Sequence, residues 1–407
     1  MLLKRDWLRP DAAGGMRKIR AFIAAALLMA IFVLSAHTVT SGLSLKVDNG
    51  RFGFWFSPYK DLSYSALSDN ISKDTVLVMG SSEFRHGRRT EYHPANAIRT
   101  ENADLMTIGG PCNQILFHSI MMGSVENKLE RRQVILLVSP TWFKKDGVNP
   151  VNYGTRFSES EYIRFMQNPD IDISTKKYVA ERSEKLLADN SRFRTKVSII
   201  NRHLADGKDD IISRMLFKAE EMLAFDRDRV SAAMAIRKIS KKSDAKTTAE
   251  KISDEAFDML AGQAEEESVE ASDNPFEISD SSWKRNFSKT YRADKDAYND
   301  KICIDSPEFG DLKAFLEVCS QTGLQAKLII MPVNGGWFDY IGTGEKQRRE
   351  TTDKIIKLAG EYGAETADLT VYEYEPFITK DVTHPWNKGW VLIDREIYDF
   401  CTGKQKG

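Results

Sequence analysis

Apolar residues along this chain come in short, unbroken runs separated by longer mixed stretches. "DTVLVMG" (74–80), "NADLMTIGG" (102–110) and "RRQVILLVSP" (131–140) are three such runs, each closed by glycine or proline. Segments of helical length lie between them, for example "QILFHSIMMGSVENKLE" (114–130). The alternation returns near the C-terminus. There "GLQAKLIIMPVN" (323–334) and "GAETADLT" (363–370) flank "EKQRRETTDKIIKLAGEYG" (345–363). Apolar runs without polar alternation suit strands covered on both faces, and strand–helix alternation builds a parallel sheet. The pattern predicts an α/β fold of the doubly wound kind, with helices on both faces of the sheet.

Residues 155–300 break this rhythm. They hold few strand-like runs and many charges, and 236–274 passes from a basic half to an acidic one. This reads as a largely helical insertion between the third and fourth strands, with a solvated surface. Residues 43–73, carrying Phe52, Phe54, Trp55, Phe56 and Tyr59, read as a stalk and entry segment. The sheet-bearing domain is then 74–154 plus 301–407.

A different pattern opens the chain. "AFIAAALLMAIFVLSA" (21–36) has no charge, and "HTVTSGLSL" extends it. About 20 helical residues span a hydrocarbon core, so 21–42 reads as a transmembrane anchor. Lys4, Arg5, Arg9, Arg17, Lys18 and Arg20 precede it. Positive flanks stay in the cytoplasm, which keeps residues 1–20 inside and puts the rest outside the cell membrane as a single-pass protein. A cleaved signal peptide is the competing reading, but Leu34-Ser35-Ala36 is a poor cleavage site.

The net charge of −1 argues against a nucleic-acid partner. Four scattered cysteines, with no CxxC and no Cys/His cluster, give no zinc pattern. No metal and no cofactor are expected.

The chemistry sits at strand ends. Gly80-Ser81-Ser82-Glu83 follows the first run, and ligands of open α/β sheets bind beyond the carboxyl ends of strands. A serine there also serves as a plain helix cap. Far downstream, "KDVTHPWNKGW" (380–390) places Asp381 three residues before His384. A serine nucleophile needs an imidazole to take its proton, and the imidazole needs a carboxylate to fix its tautomer. Asp-x-x-His supplies both. His86, four residues after Ser82, is the rival base.

An early strand-end serine, a late Asp-x-x-His and an α/β core resemble the SGNH (GDSL-type) hydrolases, whose sheet is flavodoxin-like. Four motifs in order narrow the resemblance: "MGSSEF" (79–84), "VSPTWF" (138–143), "MPVNGGWFDYIG" (331–342) and "DVTHPWNKGW" (381–390). Behind an N-terminal anchor they resemble the DltD family of D-alanyl-lipoteichoic acid biosynthesis proteins. The resemblance covers the anchor, 74–143 and 323–400.

The resemblance implies Ser82 as nucleophile, His384 as base and Asp381 as its orienter. It implies an oxyanion hole of the Ser82 N–H with Gly109 or Gly110. The superfamily's third block carries an Asn, whereas this chain has "SPTWF", leaving Thr141 as a positional candidate. Arg85, Arg88 and Arg89 are candidates for binding a polyanion, with Trp142, Asn334 and Trp337 also assigned to the substrate site. The implied activity is extracytoplasmic transfer of a D-alanyl group, through an acyl-Ser82 intermediate, to a teichoic acid hydroxyl. Implied partners are a polytopic membrane O-acyltransferase, the teichoic acid polymer and the D-alanyl carrier protein. Two rivals stand beside this: an SGNH-type O-acetyl transferase or esterase acting on a wall polysaccharide, and a non-catalytic scaffold of the D-alanylation machinery.

Overall fold

The computed structural model describes residues 12–47, 52–98, 103–239, 253–269 and 271–404. Lys4, Arg5 and Arg9, and residues 240–252 of the basic half of the insertion, lie outside the described residues. The chain divides into two units, Met1–Ser44 and Leu45–Gly407.

The first unit is the helix Ala12–Ser41. Its stretch Met16–Ser41 has a mean hydropathy of 2.3 and is the one described helix long and apolar enough to cross a membrane. At ~1.5 Å rise per residue these 26 residues reach ~39 Å, past the ~30 Å of a hydrocarbon core. The helix is consistent with a single-pass anchor.

The second unit is built on five parallel strands: β1 (Thr75–Met79), β2 (Asp104–Ile108), β3 (Gln133–Val138), β4 (Gln325–Ile330) and β5 (Glu365–Asp368). Their order is β2-β1-β3-β4-β5, with Met79 opposite both Ile108 and Leu136, and Val138 opposite Ile330. All five residues of β1 are buried. Successive strand side chains face opposite ways. Leu77, Met79, Leu136 and Leu328 therefore join one apolar cluster, while Val76, Val78, Ile135 and Ile329 join another on the opposite face. Double coverage explains why the strand runs read as unbroken apolar stretches.

The helices Ile115–Val125 and Glu308–Thr322 pack on the first face, and Asn387–Thr402 packs on the second. The insertion is helical, including Ile173–Leu187, Arg194–Leu204 and Ile211–Ile236. Its helix Asp254–Val269 adds Phe257 and Ala264 to the second face, so the insertion also covers the sheet.

The expected stalk is integral to this unit. Leu45, Phe52, Ala66 and Leu67 are buried in the first cluster. The Thr107 N–H donates to the Gly53 carbonyl at 2.9 Å, and buried Lys60 donates to Gly53 O at 2.9 Å and Thr107 O at 2.5 Å. This segment covers the outer edge of β2, which would otherwise expose unpaired backbone groups. It lacks hydrophobic periodicity, because its role is to cover an edge.

Trp390 fastens the C-terminal helix to the site. It is fully buried, stacks on Phe84 at 6.2 Å, and donates from Nε1 to the His86 carbonyl at 3.1 Å. Trp390→Ala is expected to cost about 3–5 kcal/mol in urea or thermal unfolding, and Trp390→Phe much less, because most of the buried ring remains.

Candidate active site

The strand order reverses between β1 and β3, where ligands of such sheets collect at the carboxyl ends. The chain leaves β1 through Gly80, whose N–H still donates to Ile108 O at 2.9 Å. A Cβ on Gly80 would collide with the Glu83 carboxylate and lie 2.9 Å from the Phe84 ring, so this turn requires glycine. Ser81 is committed to structure. Its N–H donates to Glu83 Oε1 at 2.5 Å and its hydroxyl to the Gly110 carbonyl at 3.2 Å. Ser82 is left to open the 3-10 turn Ser82–Arg85. Glu83 is buried, and burial raises its carboxyl above the usual range.

Ser82 Oγ lies 2.7 Å from His384 Nε2, across 302 positions of sequence. On the other side of the ring, His384 Nδ1 lies 2.9 Å from Asp381 Oδ2 and 3.1 Å from Oδ1. The loop carrying both closes on itself. Lys380 N–H donates to His384 O at 2.8 Å and Trp386 N–H to Ile378 O at 2.9 Å. Asp381 Oδ1 also accepts from the N–H groups of Thr383 and His384, each at 2.9 Å. One carboxylate thus folds an Asx-type turn and aims the imidazole.

Burial works against both charges, yet their pairing prevails. Burial would raise the Asp381 carboxyl, but the His384 hydrogen bond and charge, with two backbone N–H groups, hold it below its ordinary value. Burial would lower the His384 imidazole, but the Asp381 hydrogen bond and charge, helped by Glu83, hold it above its ordinary value. A base must be neutral to act, and its neutral fraction falls as pH drops through its pKa. The acid limb of any Ser82-dependent rate is therefore expected above pH ~6.5, the unperturbed imidazole value. A pH–rate profile checks this, and a limb near pH 4 would point to His86 instead.

His86 stacks on His384, with centroids 4.1 Å apart and planes 17° apart. Burial, followed by the His384 charge, brings its pKa down to about 4, so it is a neutral plate at physiological pH. His86, Asp381 and His384 offer ligand atoms within 4.8 Å of one another. The two rings are nearly parallel, so their in-plane lone pairs do not converge on one ion. The arrangement fits a hydrogen-bonded relay better than a metal cage.

Gly109 and Gly110 follow β2 beside this turn. A Cβ on Gly109 would lie 2.6 Å from the Gly80 carbonyl, and one on Gly110 would lie 2.9 Å from the Arg156 guanidinium. Thr141 hydrogen-bonds to Ser139 Oγ at 2.8 Å. Trp142 is buried near His118, whose Nε2 lies 2.7 Å from Gly80 O. Asn334 caps the helix Gly335–Ile341 through its side chain, gives its amide N–H2 to Phe276 O, and donates its backbone N–H to Val382 O at 3.0 Å. It therefore braces the Asp381 loop. Trp337 is buried in an aromatic cluster with Phe276 and Phe287. Arg85, Arg88 and Arg89 are all exposed, and Arg88 donates to Phe54 O at 3.3 Å and lies over the Phe56 ring.

Several neighbours were not legible in the sequence. Asn113 is fully buried, both atoms of its side-chain amide lack partners among the described residues, and its backbone N–H donates to Gly110 O at 3.0 Å. Asp61 and Arg156 approach the Gly109–Gly110 loop from distant segments. No local pattern marks these residues.

The comparisons with known proteins bear on the same residues. The family model described as "DltD protein" matches residues 57–402. Protein DltD of Bacillus subtilis (strain 168) is 27% identical over 359 residues, covering 83% of this chain and 86% of that one. Protein DltD of Staphylococcus aureus (strain NCTC 8325 / PS 47) is 24% identical over 357 residues, covering 84% and 87%. Protein DltD of Lacticaseibacillus rhamnosus is 20% identical over 344 residues, covering 82% and 79%. A family model spanning the entire sheet and both halves of the serine–histidine pair means that this chain belongs to the DltD family.

Proposed function

We propose that the chain is a serine-dependent acyltransferase of teichoic acid D-alanylation, the process in which the family acts. The single observation that carries this reading is the Ser82–His384–Asp381 relay, with contacts of 2.7 and 2.9 Å. In the first step Ser82 Oγ attacks the carbonyl of a D-alanyl ester or thioester. His384 Nε2 takes the hydroxyl proton and returns it to the leaving group as that bond breaks. N–H groups at Ser82 and Gly110 stabilise the oxyanion, since the Gly109 N–H is directed at the Asp61 carboxylate. In the second step a polyol hydroxyl of the polymer gives its proton to His384 and attacks the acyl carbonyl, and His384 Nε2 passes that proton to Ser82 Oγ as the acyl–Ser82 bond breaks. Asp381 holds the Nδ1 tautomer and the imidazolium throughout.

The apolar N-terminal helix and its basic flank support a single-pass topology with Leu45–Gly407 outside the cell. Activated D-alanine on the carrier is then cytoplasmic, and a polytopic membrane O-acyltransferase would deliver the acyl group across the membrane. Treating the full chain and a Ser82→Ala variant with a fluorophosphonate probe tests the serine. Labelling of the wild type alone is expected. A folded wild type that never labels would shift the reading to the scaffold.

A further inference from the structure

The helix Pro150–Arg156 ends against the loop that follows β2. Arg156 Nε donates to the Pro111 carbonyl at 2.7 Å. Its guanidinium lies over Gly110, where both terminal nitrogens would be 2.9 Å from a Cβ. The absence of a side chain at Gly110 is what lets the guanidinium reach this place. Gly110 is also the residue whose carbonyl accepts from Ser81, immediately before the nucleophile.

Arg156 is half-buried, and among the described residues no carboxylate or carbonyl bonds to its Nη1 or Nη2. Its charge is felt by the Asp61 carboxylate. Asp61 is buried beside Lys60, whose Nζ lies 3.9 Å from an Oδ1 that has no hydrogen-bond partner among the described residues, and burial brings its pKa up to about 7 despite the Lys60 and Arg156 charges and the Gly109 N–H. Asp61 is therefore a weak counter-ion. The result is a planar fork of donors, fixed at one end by Pro111 and open at the other, against the oxyanion loop. Such a fork matches a phosphate in bidentate fashion.

We propose that Arg156 is the anion-binding residue of the acceptor subsite, gripping a phosphodiester of the polyol-phosphate chain next to Ser82. This rests on the acyltransferase reading for its choice of ligand.

The test measures binding without chemistry. A short glycerol-phosphate oligomer is titrated by calorimetry into the full detergent-solubilised chain carrying Ser82→Ala, with and without Arg156→Gln or Arg156→Lys. Hydrogen bonds to charged groups are worth ~1.5–3 kcal/mol, so Arg156→Gln is expected to weaken binding about 10- to 100-fold, with Arg156→Lys intermediate. An uncharged glycerol oligomer should not distinguish the three. Equal oligomer affinity in the parent and Arg156→Gln, both with unaltered melting temperature, overturns the proposal and leaves the serine reading intact. Inorganic phosphate binding as tightly as the oligomer also overturns it, because the site would then be one for free phosphate. Retained acyl transfer in Ser82→Ala would sink the serine reading while leaving this binding result standing.

Discussion

Ser82→Ala is expected to lower acyl transfer by about 10⁴- to 10⁶-fold, the usual cost of removing a triad nucleophile, while the melting temperature stays within experimental scatter. Among the described residues the hydroxyl's one side-chain partner is His384 Nε2, so little packing is lost with it. This contrasts with Ser81→Ala, which removes a bond to the Gly110 carbonyl and should act through the loop. The two serines are adjacent and chemically alike, yet the account gives them different fates. Single-turnover transfer assays on both variants, with thermal melts as control, check this. Comparable losses in the two would mean that the turn matters and the nucleophile does not.

Asp381→Asn carries the second-largest expected effect, about 10⁴-fold in turnover. Asparagine can still accept from the Thr383 and His384 N–H groups through its carbonyl oxygen, so the Asx turn and loop should persist. Its amide, however, cannot stabilise the imidazolium, and an N–H2 facing Nδ1 favours the tautomer that leaves Nε2 protonated. A protonated Nε2 cannot take the Ser82 proton. The raised His384 pKa also depends on the Asp381 hydrogen bond and charge, so the residual acid limb should move toward lower pH. A fall of less than tenfold with an unmoved limb would remove Asp381 from the relay.

The features legible in the sequence are those made locally. Each strand run from "DTVLVMG" to "GAETADLT" corresponds to a strand; in β1, β3 and β4 burial on both faces writes an unbroken apolar stretch, while the edge strand β5 is partly exposed and mixed. Gly80 and the Asp-x-x-His loop were readable because a strand-end turn and an Asx turn each need particular residues at adjacent positions. What was not readable depends on contacts between distant segments. Lys60 and Asp61 look like ordinary surface charges in sequence, but both are buried beside β2. Arg156 is one of many arginines until a helix end brings it over Gly110. Within the motif "MPVNGGWFDYIG" (331–342), Asn334 caps a helix and Trp337 packs in an aromatic cluster. The motif marks the brace behind the Asp381 loop.

The most direct test of the account is to trap the acyl-enzyme. The wild-type full chain would be supplied with a D-alanyl thioester in the absence of acceptor, quenched in acid, digested, and examined by mass spectrometry. A D-alanyl adduct on the peptide containing Ser82, removed by adding a glycerol-phosphate acceptor and absent from Ser82→Ala, is the predicted result. Acyl transfer to the acceptor without any adduct on Ser82, or with the adduct on another residue, would contradict it.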